Sequence, residues 1–286
     1  FMAALMTSDK NDLDRIAKEI DECRSMGIEV AAPDVNESFM TFAVVPGEKK
    51  IRYALSAIKN VGEGPINVIE EARKEGGKFT SLEDFVKRTA SNEINKKSLE
   101  SLIKCGALDQ FGERKNLLIS IDNILAFAQN IRKEKESSQM DIFGNTVEVS
   151  EINKISLNNT EPATDKERLD WEKELLGIYI SSHPLNQYKD FIGTRFRAIN
   201  DLGEKDEGKD VKILGVVAKI QKIVTRSKEP MLFVTFEDFM AQTELLIFPK
   251  VLAEKPDFWT EGKIVIVQGR VSTKDGAIKI LADKFD

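Results

Sequence analysis

The sequence predicts a multidomain chain: a mainly α region built on helix-hairpin-helix turns, followed by an all-β OB-fold barrel. Three observations carry this reading. At 286 residues the chain exceeds the roughly 100–200 residues of a single domain. Apolar residues recur at helical spacing, in segments punctuated by glycine, as far as Leu176. After Gly208 the pattern changes to β-rich runs with one helix-compatible stretch among them.

Leu13, Ile16, Ala17, Ile20 and Cys23 predict an amphipathic helix over residues 9–26, with Gly27 where a left-handed cap is wanted. Pro33 closes a short segment, and the β-prone runs 41–45 and 50–54 flank Pro46-Gly47 as a hairpin. A short helical piece at 54–59 precedes four helices, over 65–74, 82–88 behind Ser81, 96–105 behind Asn95, and 114–132. The polar stretch that follows reads as linker, and a last helix over 165–176 ends at Gly177. Strands are then expected over 211–224, 231–236, 243–248, 264–271 and 277–282, with a helix over 249–259 and a hairpin turn at Lys274-Asp275-Gly276. Three strands, a helix and two strands is the order of an OB barrel, with a small β-sandwich as the competitor.

Composition narrows the function classes. The hydrophobic fraction of 41% allows real cores, and no apolar run approaches the roughly 20 residues that span a bilayer, so no membrane partner is expected. A net charge of −6 argues against a uniformly cationic DNA-packaging protein but leaves room for local phosphate binding. Cys23 and Cys105 form neither a disulfide framework nor a zinc ribbon, which fits a reducing, cytoplasmic setting. His183 is the only histidine, so no multi-histidine metal site exists; His183-Pro184 reads as a corner and Glu237-Asp238 as the start of a turn. Neither a nucleophile elbow nor a Walker loop is present, and no catalytic residue, metal or cofactor is assigned to this chain. Phe1-Met2-Ala3-Ala4 reads as the interior of a longer protein.

Three segments carry binding chemistry. Val61-Gly62-Glu63-Gly64 has hairpin spacing: glycines admit positive φ and close approach to a phosphate, and the following helix terminus supplies N–H donors. An ordinary tight helix-helix turn is the alternative. Residues 102–108, around Lys104 and Gly106, form a weaker second hairpin. In Gln139-Met140-Asp141-Ile142-Phe143 two apolar side chains stand inside a polar linker, which suits a partner's groove unless they fold back on the preceding helix. In the barrel, Lys219, Lys222, Arg226 and Lys228 crowd the end of the first strand and the first hairpin, and Lys274 marks the last; these loops flank the oligonucleotide groove of OB barrels, or are simply solvated. Phe233, Phe236 and Phe248 offer stacking only where strand alternation leaves them outside.

Taken in order, these residues resemble the alpha subunit of bacterial DNA polymerase III. Phe1 to Thr7, Glu22 to Ile28 and Pro33 to Asn36 are similar to the end of its fingers region, and Ala57-Ile58-Lys59-Asn60-Val61-Gly62 to its tandem helix-hairpin-helix entry. Gly106-Ala107-Leu108-Asp109 resembles the second hairpin, Gln139 to Phe143 the clamp-binding pentapeptide, and Gly177-Ile178-Tyr179 with Ser182-His183-Pro184-Leu185 the segment before the OB domain. The resemblance divides the chain into the end of the fingers (1–50), tandem hairpins (51–135), a linker with the clamp peptide (136–164), a connecting helical region (165–208) and the OB domain (209–286).

It implies a parent chain that performs templated DNA synthesis with magnesium held by aspartates upstream of Phe1. For this piece it implies duplex DNA held by Lys59, Asn60, Gly62, Gly64, Lys104 and Gly106. Single-stranded DNA would meet the barrel at Lys222, Arg226, Lys228 and Lys274, and the sliding clamp and other holoenzyme subunits would be protein partners. A stand-alone DNA-repair adaptor and a tRNA-binding accessory protein are the competing classes; the clamp peptide speaks against the second and the interior-like first residues against the first.

Overall fold

Side-chain caps set most helix boundaries in the first half of the chain. The computed structural model describes residues 1–138, 154–193, 195–225, 227–239 and 241–286. They fall into two units, Phe1–Ser181 and Ser182–Asp286. Among the described residues no helix is long and apolar enough to cross a membrane.

The first unit opens with α1 (Met2–Ser8), which buries Met2 and Met6, and α2 (Leu13–Ser25), which buries Ile16, Ala17, Ile20 and Cys23. The helix expected over 9–26 starts late, because Asp12 accepts the Arg15 N–H and caps α2. Strands β1 (Glu29–Ala31), β2 (Ala43–Val44) and β3 (Lys50–Arg52) form a small sheet in the order β1-β3-β2. Here β2 and β3 make the expected antiparallel hairpin, with Gly47 at φ +79°, and β1 joins β3 in parallel.

Helices α3 (Glu63–Gly76), α4 (Leu82–Thr89) and α5 (Lys96–Lys104) follow. Ser81 caps α4 through the Asp84 N–H, and Asn95 with Ser98 forms a capping box on α5. The single helix expected over 114–132 is two, α6 (Arg114–Ile119) and α7 (Ile121–Ser138), broken at Ser120. Residues 154–164, read from composition as linker, lie along these helices: Asn158 N–H donates to Ser120 Oγ (2.7 Å), Thr160 N–H to Asn116 (2.9 Å) and Ala163 N–H to Glu113 (2.9 Å). Ile155 and Ala163 are buried there. Helix α8 (Asp165–Leu176) begins at a Thr164–Glu167 capping box and ends on Gly177 in the left-handed conformation.

The second unit starts with a 3-10 turn over Pro184–Tyr188 and the short helix α9 (Lys189–Ile192). Strands β4 (Asp210–Val224), β5 (Pro230–Glu237) and β6 (Gln242–Ile247), helix α10 (Pro249–Glu254), and strands β7 (Ile264–Ser272) and β8 (Lys279–Phe285) complete it. The strands close into a barrel in the order β4-β5-β6-β8-β7, with only β6 and β8 parallel. This is the OB fold, and the sandwich alternative is set aside. Ile213, Val234, Phe236, Leu245, Val265 and Ile280 fill its interior.

Closure depends on two glycines within strands. A Cβ at Gly215 would stand 2.5 Å from the Glu237 carbonyl, and one at Gly269 would stand 2.3 Å from that of Leu281. Helix α10 is shorter than expected, because Pro256 removes Lys255 from the helical region (φ −148°, ψ 82°).

Candidate nucleic-acid interface

The first hairpin runs from a 3-10 turn at Leu55–Ala57 to α3. Ile58 and Val61 are buried, which anchors the turn and leaves Lys59, Asn60 and Gly62 exposed. The expected positive φ is carried by Asn60 (φ +68°) rather than by a glycine; Gly62 is extended (φ −80°, ψ 175°) and Gly64 is helical. Gly62 is the N-cap residue of α3 and supplies no side-chain cap, so the first N–H groups of the helix depend on an outside acceptor. The two glycines differ in surroundings. A Cβ at Gly62 would meet nothing within 4 Å, whereas one at Gly64 would run into the Glu93 carboxylate.

The second hairpin joins α5 to a 3-10 turn at Asp109–Phe111. Gly106 has φ +86°, which a side chain would strain, and its open side is covered by the Arg114 guanidinium and the Asp109 carboxylate. Lys104 pairs with Glu100 at 2.6 Å.

Arg114 is 4% exposed and donates to Asp109, to the Lys104 carbonyl (3.0 Å) and to Glu172 (3.0 Å), which is 1% exposed. Glu172 in turn accepts the N–H groups of Ile180 and Ser181, both at 2.9 Å. Burial disfavours the guanidinium charge, but the Asp109 and Glu172 carboxylates outweigh it and hold its pKa above the ordinary value. Sequence reasoning missed this network, since Arg114 and Glu172 look like any surface helix residues.

In the barrel unit, Lys222 is exposed on β4 opposite Leu232. The β4–β5 turn is closed on Thr225, which bonds Glu229 through backbone and hydroxyl, with exposed Lys228 at φ +63°. Arg226 lies outside the described residues, as do Gln139, Met140, Asp141, Ile142 and Phe143. Lys274 is exposed in the turn after β7.

Alternation decides among the three phenylalanines. Phe236 is fully buried, Phe248 is 40% exposed, and Phe233 stands half-buried on the outer face, in register with Gln221 and Leu246. Phe233 thus adds a ring to the β5–β6 face, where OB barrels take oligonucleotides.

His183 is a corner: its Nδ1 accepts the Leu185 N–H, and its ring lies 4.9 Å from Phe239. Asp238 caps a turn by accepting the Ala241 and Ile199 N–H groups. Burial pushes the Cys105 thiol up to about 12 and the Cys23 thiol above its ordinary value, so neither is a reactive thiolate. Among the described residues no group of three or more His, Cys, Asp or Glu is placed to hold a metal ion.

Comparison with known proteins agrees with the geometry. Residues 27–118 match the helix-hairpin-helix motif family, and residues 211–286 match the OB-fold nucleic acid binding domain family. The chain is 33% identical over 296 residues to DNA polymerase III subunit alpha of Saccharopolyspora erythraea, and 34% identical over 290 residues to that of Escherichia coli. The Pseudomonas aeruginosa protein of the same name is 33% identical over 304 residues. Each alignment takes in 99% of this chain but 24–26% of the relative, so the chain spans about a quarter of the length of the curated relatives it matches.

Proposed function

We propose that this chain, which matches the C-terminal region of DNA polymerase III alpha subunits, is the DNA-holding and clamp-binding part of such a subunit and performs no chemistry itself. The observation that supports this best is the order of parts: a hairpin region with an uncapped helix terminus, then a closed OB barrel, aligned end to end with one family. Duplex DNA meets the first hairpin, where the exposed Gly62 backbone and the first N–H groups of α3 take a phosphate and Lys59 and Asn60 flank it; at the second hairpin Lys104 is the remaining contact, because Arg114 and Asp109 cover Gly106. Single-stranded DNA crosses the barrel between Lys222, Arg226 and Lys228 on one side and Lys274 on the other, with Phe233 as a stacking surface. Gln139 to Phe143 docks in the groove of the sliding clamp, the other holoenzyme subunits attach to the same polypeptide, and the setting is the cytoplasm. Template-directed synthesis, with its magnesium, belongs to the palm of the whole protein; no step is routed through this chain.

Gly62→Val tests the duplex contact. Its Cβ meets no neighbour and its φ is ordinary, so the fold should stand while the branched side chain blocks a phosphate. Anisotropy on labelled duplex should show weaker, sequence-independent binding with a shallower salt dependence. Unchanged affinity would reduce the hairpin to a structural turn, and magnesium-dependent primer extension by the pure chain would refute the non-catalytic reading.

A further inference from the structure

In the second unit, residues 184–193 and 195–197 cover the outer face of the β4–β7 pair. Leu185, Leu214 and Val216 are buried there, with Ile192, Phe196, Ile264 and Ile266 packed around them. The Arg197 N–H donates to the Lys212 carbonyl at 2.9 Å and fastens the segment to β4. Leu185, Ile192 and Phe196 meet the packing need of this face. Phe191 does not contribute to it: it is 44% exposed, its ring centroid is 5.7 Å from that of Phe196, and nearby Tyr188 is 38% exposed.

Cations border these rings. Arg195 Cζ lies 4.9 Å from the Phe191 centroid, and Lys212 Nζ lies 5.4 Å from that of Phe196. Lys189, two residues before Phe191 in the chain, is exposed, and no ion pair joins Lys189, Arg195 or Lys212 to a carboxylate among the described residues. Asp190 is the one acidic residue between Tyr188 and Arg197, in a chain whose net charge is −6.

We propose that this face, with Phe191, Tyr188, Arg195, Lys189 and Lys212, is a second contact for single-stranded DNA, apart from the loops and the β5–β6 face of the barrel. The inference rests on the single-strand reading of this unit. Exposed rings next to uncompensated cations suit a flexible polyanion that carries a π face on every residue: bases stack on the rings while phosphates reach the cations. A duplex keeps its π faces stacked inside. A folded protein partner would have to desolvate three unpaired charges to cover two rings. Lys212 stands ten residues before Lys222 on the same strand, about 33 Å of strand path at roughly 3.3 Å per residue, so a strand leaving the groove needs further support to stay on the surface.

The test is anisotropy of the full chain with an oligothymidine of about 30 nucleotides, beyond the roughly 4–16 that one OB fold holds. A variant carrying Phe191→Ala, Arg195→Glu and Lys212→Glu should bind about tenfold or more weakly, and its log–log salt slope should fall by about 1.4, at roughly 0.7 per lost phosphate contact on a single strand. Phe191→Tyr should bind like the parent, and Phe191→Leu should bind worse. Thermal unfolding followed through Trp259 in a Trp171→Phe background should not move, because the substituted side chains are not in the barrel core. If the loop variant Lys222→Glu, Lys228→Glu, Lys274→Glu loses affinity and the face variant does not, the second contact is refuted and the groove stands. If the parent chain does not bind oligothymidine, the single-strand reading fails and takes this inference with it. Equal competition by polyglutamate of matched charge, with Phe191→Leu as tight as Phe191→Tyr, would overturn stacking and show a general anion surface.

Discussion

Removing Arg114 should cost the first unit more than any other single polar change described here. Arg114→Met keeps the length of the side chain but leaves Glu172 charged, 1% exposed and without a counter-ion, although its second oxygen still receives the Ile180 and Ser181 N–H groups. Breaking a buried pair from one side costs about 3–5 kcal/mol. Glu172→Gln is milder, about 1.5–3 kcal/mol, because Arg114 retains the Asp109 carboxylate and the Lys104 carbonyl while a charge-assisted bond is lost. Asp109 is half-exposed, so Asp109→Asn should cost about 1 kcal/mol or less. The assay is urea unfolding in a Trp259→Phe background: the chain has two tryptophans, and Trp171 in α8 then reports on the first unit alone. A double-mutant cycle of Arg114→Met with Glu172→Gln should give a coupling of about 1 kcal/mol or more. Additive losses, or a cost below about 1 kcal/mol for Arg114→Met, would refute the idea that the pair is dry and mutually dependent.

Burial of Glu19, followed by its hydrogen bond and repulsion with Asp9, raises its carboxyl to about 7. The folded state therefore holds the proton more tightly than the unfolded chain, where the value is near 4.3, and stability should fall as pH rises between those values and stay low above 7. Glu19→Gln should flatten that slope and raise stability at pH 8 by about 1–3 kcal/mol; an unchanged pH profile of Trp171 melting would dismiss the pair as its source. Thr164→Ala should remove the capping box of α8 and cost about 1 kcal/mol in the same assay, with no loss counting against the cap. Calorimetry against the cognate sliding clamp should show affinity lower by about a hundredfold or more for Ile142→Ala with Phe143→Ala, since each apolar side chain is worth roughly 1.5–3 kcal/mol when buried; equal affinity would rule out docking through these two residues.

Much of the fold was legible because its signals are local. Ser81, Asn95 and Thr164 announce helix starts and Gly177 a helix end, each through a bond or a φ value that depends on neighbours in sequence. The barrel was legible because β-rich runs with one proline-started helix after the third have few other closures. What escaped is set by distant partners. No glycine or proline marks Ser120, yet the helix breaks where its hydroxyl takes the Asn158 N–H from 38 residues away. Gly215 and Gly269 look like weak points in strands, and only the close approach of the facing backbone explains them.

The candidate site shows the same limit more sharply, because a glycine in sequence does not say what stands over it. Gly62, Gly64 and Gly106 share one residue type and three different neighbours: open solvent, the Glu93 carboxylate and the Arg114 guanidinium. Only an uncovered glycine next to unsatisfied N–H groups offers its backbone to an incoming phosphate. Gly64 and Gly106 are small for the sake of the protein's own side chains, so valine at either would disturb packing whether or not DNA binds there. A double variant at Gly62 and Gly64 would therefore mix two effects. The Gly62 substitution alone separates phosphate approach from folding, because its cost in affinity has no structural neighbour to which it could be attributed.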